Sequence, residues 1–261
     1  MLLIHPSIDP VIVSFGALQI RWYGLAYVLG FLIGIYFIKQ INQHYQKKIQ
    51  NNKIDDFFIW SIIGVILGGR IGYVLFYQTS SIFLNPLNVL YIWKGGMSFH
   101  GGLIGITIAI LFFCKKNSIN FFQLSDLVSS VAPVGLFFGR LANFINIELY
   151  GRVTDFPFAM IYPSVDQLPR HPSQLYEAFF EGIILFIILY IISKKNFAKN
   201  KFGFSTSLFL ILYGIFRFFL EFIREPDAHL GLYYDIFTVG QFLSIPMIFV
   251  GIVIISKMKN A

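Results

Sequence analysis

Residues 236–256 read IFTVGQFLSIPMIFVGIVIIS, a run without one charged side chain, closed by Lys257 and Lys259. A helix needs about 20 mostly apolar residues to cross the hydrocarbon core of a bilayer. This stretch meets that length and identifies a membrane span. Working outward by the same criterion gives six more: about Val11–Ile38, Asp56–Tyr77, Met97–Cys114, Leu124–Phe144, Ser173–Ile192 and Gly203–Ile223. Pro133 and the hydroxyls of Ser129 and Ser130 interrupt the fourth, which a span tolerates when it packs inside a bundle. The expected fold is an all-α integral membrane protein with seven transmembrane helices. It forms a single polytopic domain over residues 1–261, with an outer-side segment around 145–172.

Composition agrees. Of 261 residues, 56% are hydrophobic and only 13% charged, whereas a soluble domain carries about 25% charge. Such a chain cannot cover its own surface with polar groups. Phe and Tyr number 31 and 14, an aromatic load suited to a bilayer and its interfaces. The opening MLLIHPSIDP has no basic leader region and no small-residue cleavage site, so the first span is expected to stay in the mature protein. Cys114 is the only cysteine, which excludes a disulfide framework and a cysteine-based metal cluster. The histidines at 5, 44, 100, 171 and 229 show no paired ligand spacing, so no metal is expected. The glycines follow no nucleotide-binding pattern, and no cofactor is expected.

The net charge of +7 invites a nucleic-acid reading, and its distribution refutes it. Lys39, Lys47, Lys48 and Lys53 follow the first span, and Lys115 and Lys116 the third. Lys194, Lys195, Lys199 and Lys201 follow the fifth, and Lys257 and Lys259 the seventh. All lie on one side of a seven-span arrangement. The opposite loops hold only Lys94, Arg152, Arg170 and Arg224. The positive-inside rule puts the lysine side in the cytoplasm, the N-terminus outside and the C-terminus inside. There the lysines meet anionic headgroups. No arginine joins them: Arg21, Arg70, Arg140 and Arg217 fall within or at the ends of spans. Arginine is the cation whose planar fork suits phosphate. The expectation is that an anion is handled in the outer half of the membrane.

Five constellations carry candidate chemistry. In GGMSFHGGLIG (Gly95–Gly105), four glycines bracket His100. Exposed N–H groups at a helix start favour an anion, and a histidine near neutrality can act as general base; a capped histidine among packing glycines is the plainer alternative. In GRLANFINIELYGR (Gly139–Arg152), Arg140 and Asn143 share a helical face, with Asn146 and Glu148 beyond. An Arg140–Glu148 pair that merely holds the bundle is the alternative. In YGIFRFFLEFIREPD (Tyr213–Asp227), Tyr213 precedes Arg217 by one turn, and Arg217 and Glu221 are spaced to meet. That spacing equally suits an ion pair that hides both charges. In RWYGLAY (Arg21–Tyr27), Trp22 and Tyr23 read as interfacial aromatics, and Tyr23 can offer its hydroxyl to a substrate oxygen. In RHPSQLYE (Arg170–Glu177), Pro172 and Ser173 look like a capped helix start, and Glu177 can order another charge. Cys114 reads as a small core residue.

Taken together and in this order, RWYG, GGRIGYVLFY, GGMSFHGGLIG, GRLANFINIELYGR, RHPSQLYE and the Arg217/Glu221 segment resemble the prolipoprotein diacylglyceryl transferases. The resemblance runs from Arg21 to the last spans. It implies a bacterial inner-membrane enzyme with seven spans, an outward N-terminus and an active site toward the outer, periplasmic leaflet. The implied reaction moves the diacylglyceryl group of phosphatidylglycerol to the thiol of a lipobox cysteine in a prolipoprotein signal peptide. It forms a thioether and releases glycerol phosphate, the first step of lipoprotein maturation. The partners implied are phosphatidylglycerol, the prolipoprotein and the surrounding lipids, with no nucleic acid. His100, Arg140 and Arg217 are then the catalytic candidates. Arg140, Asn143, Tyr23, Glu148, Gly151, Tyr213 and Glu221 are the substrate-binding ones, with Glu148 and Glu221 expected to orient the arginines and Gly151 to allow close backbone approach. Ala142 stands where many members carry glycine, and the outer segment Asp155–Pro169 is short. A transporter for an organic anion, using the same arginines, is the alternative. It would show inverted repeats and a midplane site, whereas repeats here are weak and the polar residues cluster toward one end.

Overall fold

The computed structural model describes residues 3–16, 18–45, 48–77, 87, 91, 96–195, 201–226 and 237–258, with the backbone alone at 18, 76 and 77. Gly95, Lys47, Lys94, Lys199, Lys259, Asp227 and His229, which entered the reading above, lie outside them. The described residues are mostly helical: α1 Trp22–Asn42, α2 Asn51–Tyr77, α3 Phe99–Asn117, α4 Phe121–Ile145, α5 Ser173–Ser193, α6 Phe204–Leu220 and α7 Val239–Lys257. Among them six are long and apolar enough to cross a membrane; α6, at 17 residues, is shorter. The interrupted span expected around Pro133 is a continuous helix and the most buried of the six, 56% against at most 33%.

The all-α expectation is corrected at the N-terminus and in the outer segment. Where the first span was expected to start lies a β-hairpin, β2 Val11–Phe15 pairing antiparallel with β3 Leu18–Arg21. The physical reason lies in VIVSF, β-branched residues that favour a pleated surface, followed by Gly16 at φ +62° in the turn. Helix α1 starts only at Trp22, whose backbone N–H donates to Pro10 O. A second small sheet has the order β1–β4–β5: β1 Leu3–Ile4 runs parallel to β4 Met160–Ile161, which pairs antiparallel with β5 Pro169–Arg170. Helix α5 is not uniform either; Ala178–Ile184 is a π-helical segment between two α-helical ends.

The chain divides into two compact units, residues 47–125 and the remainder. In the first, α2 and α3 pack through glycines. Gly64, Gly68 and Gly72 face Gly101 and Gly105; a Cβ on Gly64 would lie 2.8 Å from Gly105 O, and one on Gly72 2.6 Å from Gly101 Cα. Small residues at four-residue spacing let helix backbones touch in a bilayer, where hydrophobic burial supplies no drive between helices. Cys114 is buried on α3, its thiol toward Asn120 O at 3.8 Å.

In the second unit, α1 meets α4 where Gly30 and Gly135 approach, and α6 meets α7 through Gly214 and Gly251. Asp126, fully buried, accepts hydrogen bonds from Gly203 N, Thr206 N and Thr206 Oγ1 at 2.7–2.8 Å. A carboxylate of α4 thus serves the N-terminus of α6, whose own N-cap is a glycine. At the other end of α4, His5 Nε2 donates to Phe144 O at 3.0 Å while its Nδ1 accepts from Ser7 N at 3.1 Å.

Candidate active site

Three arginines and three glutamates gather in the second unit. Arg140, near the end of α4, places Nε 2.9 Å from Glu177 Oε2 and Nη2 3.1 Å from Glu181 Oε2. Arg217, near the end of α6, donates from Nη1 to the other Glu177 oxygen at 2.9 Å and lies 3.7 Å from Glu181 Oε1. Its Nη2 donates to Glu221 Oε1, which also lies 3.4 Å from Arg224 Nη1. Glu177 therefore bridges the two arginines, one oxygen to each. The side chains of Glu177 and Glu181 are wholly buried. Removing a charge from water costs several kcal/mol even after relaxation, and partners must offset it. Here the charges sum to zero.

One turn beyond Arg140 the chain makes a second constellation. Asn143 Nδ2 donates to Tyr23 Oη at 2.8 Å and to Glu148 Oε2 at 3.0 Å, and Asn146 Nδ2 reaches Glu148 Oε1 at 3.5 Å. Both N–H bonds of the Asn143 amide are then engaged. The tyrosine oxygen acts as acceptor, so its own hydrogen is not spent on this contact. Three of the expected site residues are joined here: Tyr23 on α1, with Asn143 and Glu148 around the end of α4; Arg140 lies one turn before Asn143, with its own partners on α5. Tyr213 is buried on α6, its ring stacked on Phe209, within electrostatic range of Arg140, Arg217 and Glu181.

Several expectations need correction. Glu148 orients Asn143, not an arginine; Arg140 instead takes its carboxylates from α5, because Glu177 and Glu181 project into the bundle where α4 and α6 carry their arginines. Glu221 does hold Arg217, and the pairing that its spacing allowed is real. Glu177 orders another charge, as its position suggested, but Glu181 was missed. A second glutamate four residues on, inside an apolar span, was the available signal; it sits in the π-helical segment. Arg224 joins the cluster through Glu221.

Gly151 does allow close approach, though to the protein's own backbone. A Cβ there would lie 2.5 Å from His171 O and 2.9 Å from Ile223 O. Its N–H donates to His171 O at 2.9 Å, and it forms an isolated bridge with Arg224. Ser173 does not cap α5: Pro172 stands at the N-cap without a side-chain bond, and Ser173 Oγ donates to Leu149 O at 2.7 Å.

His100 belongs to the other unit, in the first turn of α3, with its ring against Phe99. The α3 N-terminus is not an open anion cradle. Ser98 Oγ accepts from Gly101 N at 3.2 Å, Ser98 O from Gly102 N at 2.9 Å, and Gly101 and Gly105 are spent on packing against α2.

Outside the spans, Arg170 donates to Asp166 from Nη2 at 2.6 Å and from Nε at 3.1 and 3.3 Å, and holds that carboxyl below the usual range. Burial pushes the His5 and His171 imidazoles below their ordinary value and the Tyr162 phenol above its own.

A sequence profile described as prolipoprotein diacylglyceryl transferase matches residues 10–257. A protein of Rickettsia felis is 48% identical over 94% of this chain and 95% of its own. One of Rickettsia bellii is 48% identical over 97% and 96%, and one of Rickettsia canadensis 47% over 95% and 96%. All three carry the name phosphatidylglycerol–prolipoprotein diacylglyceryl transferase.

Proposed function

The chain belongs to the prolipoprotein diacylglyceryl transferase family, and from that premise we propose how its own residues carry the transfer. It is a transferase that moves a diacylglyceryl group from phosphatidylglycerol to a prolipoprotein. The acceptor in our reading is the lipobox cysteine thiol. Sulfur attacks the glyceryl carbon next to the phosphate, a carbon–sulfur bond forms and the carbon–oxygen bond breaks. The electron pair leaves on the phosphate oxygen, and glycerol phosphate departs with a second negative charge. The nucleophile comes with the substrate, so the chain needs no reactive cysteine. A thiol of pKa about 8.5 needs only modest help to ionise, and the base that the family resemblance offers for its proton is His100.

The harder task is to receive the charge that develops on the leaving phosphate. Donors aimed there in a water-poor site supply the largest catalytic contribution. The single observation that carries this reading is the junction of the Arg140–Glu177–Arg217 bridge with the Tyr23–Asn143–Glu148 triangle. The glutamates hold both guanidiniums in place, and among the described residues the ion pairs of Arg140 run through Nε and Nη2. Asn143 points the Tyr23 oxygen so that its hydroxyl hydrogen is available to a phosphate oxygen. Glu221 fixes Arg217, and Tyr213 lines the wall. The site faces the outer leaflet of a bacterial inner membrane, with the C-terminus cytoplasmic; the one-sided lysines support this orientation. No observation favours the transporter alternative.

The test is the mass of a lipobox peptide incubated with purified protein and phosphatidylglycerol. A gain of one diacylglyceryl group, absent with a Cys→Ser peptide, is expected; no gain with folded protein overturns the reading. His100→Asn should slow the reaction most at low pH, where thiolate is scarce. An unchanged pH–rate profile removes His100 as the base.

A further inference from the structure

Four consecutive carbonyl oxygens between α4 and α5 each accept a hydrogen bond from another part of the chain. Gln174 Nε2 donates to Glu148 O at 2.7 Å and Ser173 Oγ to Leu149 O at 2.7 Å. The Glu225 backbone N–H donates to Tyr150 O at 3.1 Å, and Arg170 Nη1 to Gly151 O at 3.2 Å. The backbone so held is unusual. Ile147 and Leu149 have φ of +57° and +59°, a left-handed conformation that a β-branched isoleucine rarely adopts. Such backbone persists only where its surroundings over-determine it, and it clusters at functional sites. Between the two strained residues lies Glu148, whose backbone N–H returns to Asn143 O at 2.9 Å and whose carboxylate meets the Asn143 amide.

Gln174 is the innermost of these clamps. It is fully buried, and its two amide atoms have different partners. Oε1 accepts from Tyr162 Oη at 3.1 Å, and this aims Nε2 at Glu148 O. Tyr162 is itself buried, its ring in contact with those of His5 and Tyr150. A buried amide satisfied at both ends has one orientation, and it transmits that orientation to whatever it holds.

We infer that Gln174 is a positioning residue for the transfer reaction. By clamping the Glu148 carbonyl it keeps the left-handed turn in register, so that Glu148 holds Asn143 and Asn143 holds the Tyr23 hydroxyl. This inference rests on the transferase reading above. It assigns Gln174 to the rate of the chemical step and not to lipid binding, because the clamp reaches the donors through two intervening residues and touches neither arginine pair.

Gln174→Met keeps side-chain length and removes both polar atoms. The assay is steady-state transfer to a lipobox peptide with phosphatidylglycerol in mixed micelles, alongside thermal unfolding of the same preparation. The expected result is a kcat lowered about tenfold or more, with KM for phosphatidylglycerol within about twofold, as for a donor displaced by less than an ångström. Gln174→Glu retains the acceptor and regains a donor only when protonated. Its rate relative to the wild type should therefore rise as pH falls from about 8.5 to about 6. Wild-type kcat in Gln174→Met overturns the inference, as does a loss that only tracks the folded fraction. Should Gln174→Met not fold, Ser173→Ala, which deletes one hydroxyl from the same clamp, must show the same split between kcat and KM; its absence is equally decisive. If the wild-type protein itself fails to modify the peptide, the transferase reading fails first, and the two failures are thereby told apart.

Discussion

A lysine at position 140 would keep the charge and lose the fork. Arg140 reaches Glu177 through Nε and Glu181 through Nη2; an ammonium is a single point and cannot span both carboxylates in that geometry. Arg140→Lys should thus leave a folded protein whose kcat falls about a hundredfold, the scale of one lost transition-state donor. Peptide modification at saturating phosphatidylglycerol measures it, and a rate within a few-fold of wild type removes Arg140 from charge stabilisation. His5 supports a prediction of another kind. Its neutral ring is read twice, as donor to Phe144 O and acceptor from Ser7 N–H, and burial holds its pKa below the ordinary histidine value. A base whose folded pKa is depressed contributes stability above the unfolded pKa, and loses it as pH falls through the folded value. The unfolding midpoint should decline as pH drops below about 6.5. His5→Gln should flatten part of that decline; His171, shifted the same way, accounts for more. An unchanged slope in the variant would show that the ring is not read by its protonation state. Asp166 acts in a lower window, since Arg170 depresses a carboxyl.

At the scale of elements, α2 and α3 depend on the absence of side chains. A Cβ on Gly105 would lie 2.9 Å from Gly68 Cα and 3.0 Å from Gly64 C, backbone that has nowhere to go. Gly105→Val should cost about 1–3 kcal/mol of overpacking and lower the unfolding midpoint, while Gly24→Ala, with nothing within 4 Å, should not. Equal midpoints would refute the packing role. The sequence reading located every long helix among the described residues because apolar length is a strong, additive signal. It misplaced the start of α1 because VIVSF is apolar enough to extend a span, and only strand pairing across Gly16 distinguishes a hairpin. It set Tyr23 and Asn143 among the same candidates through family motifs and did not foresee their contact, since no local period links residues 120 positions apart. Arg217 and Glu221 were legible because an i,i+4 pair is local. The choice of Glu177 and Glu181 for Arg140 was not, because it depends on which face α5 turns to α4. The glycines around His100 were read as permissive for a ligand when two of them serve helix contact; sequence alone does not separate those uses.

At the scale of the molecule, the orientation proposed above rests on charge asymmetry. Asp155 and Lys195 are exposed and belong to the loops assigned to opposite sides. In intact cells a membrane-impermeant maleimide should label Asp155→Cys and spare Lys195→Cys until the membrane is permeabilised. The reverse pattern would invert the topology and with it the leaflet that the site faces. The background of this experiment is quiet because Cys114 is buried in the α2–α3 unit. The same burial has a chemical consequence for the sulfur alkylation proposed above. An exposed thiol of its own would compete with every incoming acceptor and end as a dead adduct. With its one sulfhydryl buried beside Asn120 O, the chain offers that reaction no exposed acceptor of its own, and each diacylglyceryl group withdrawn from the lipid pool is left for the substrate peptide.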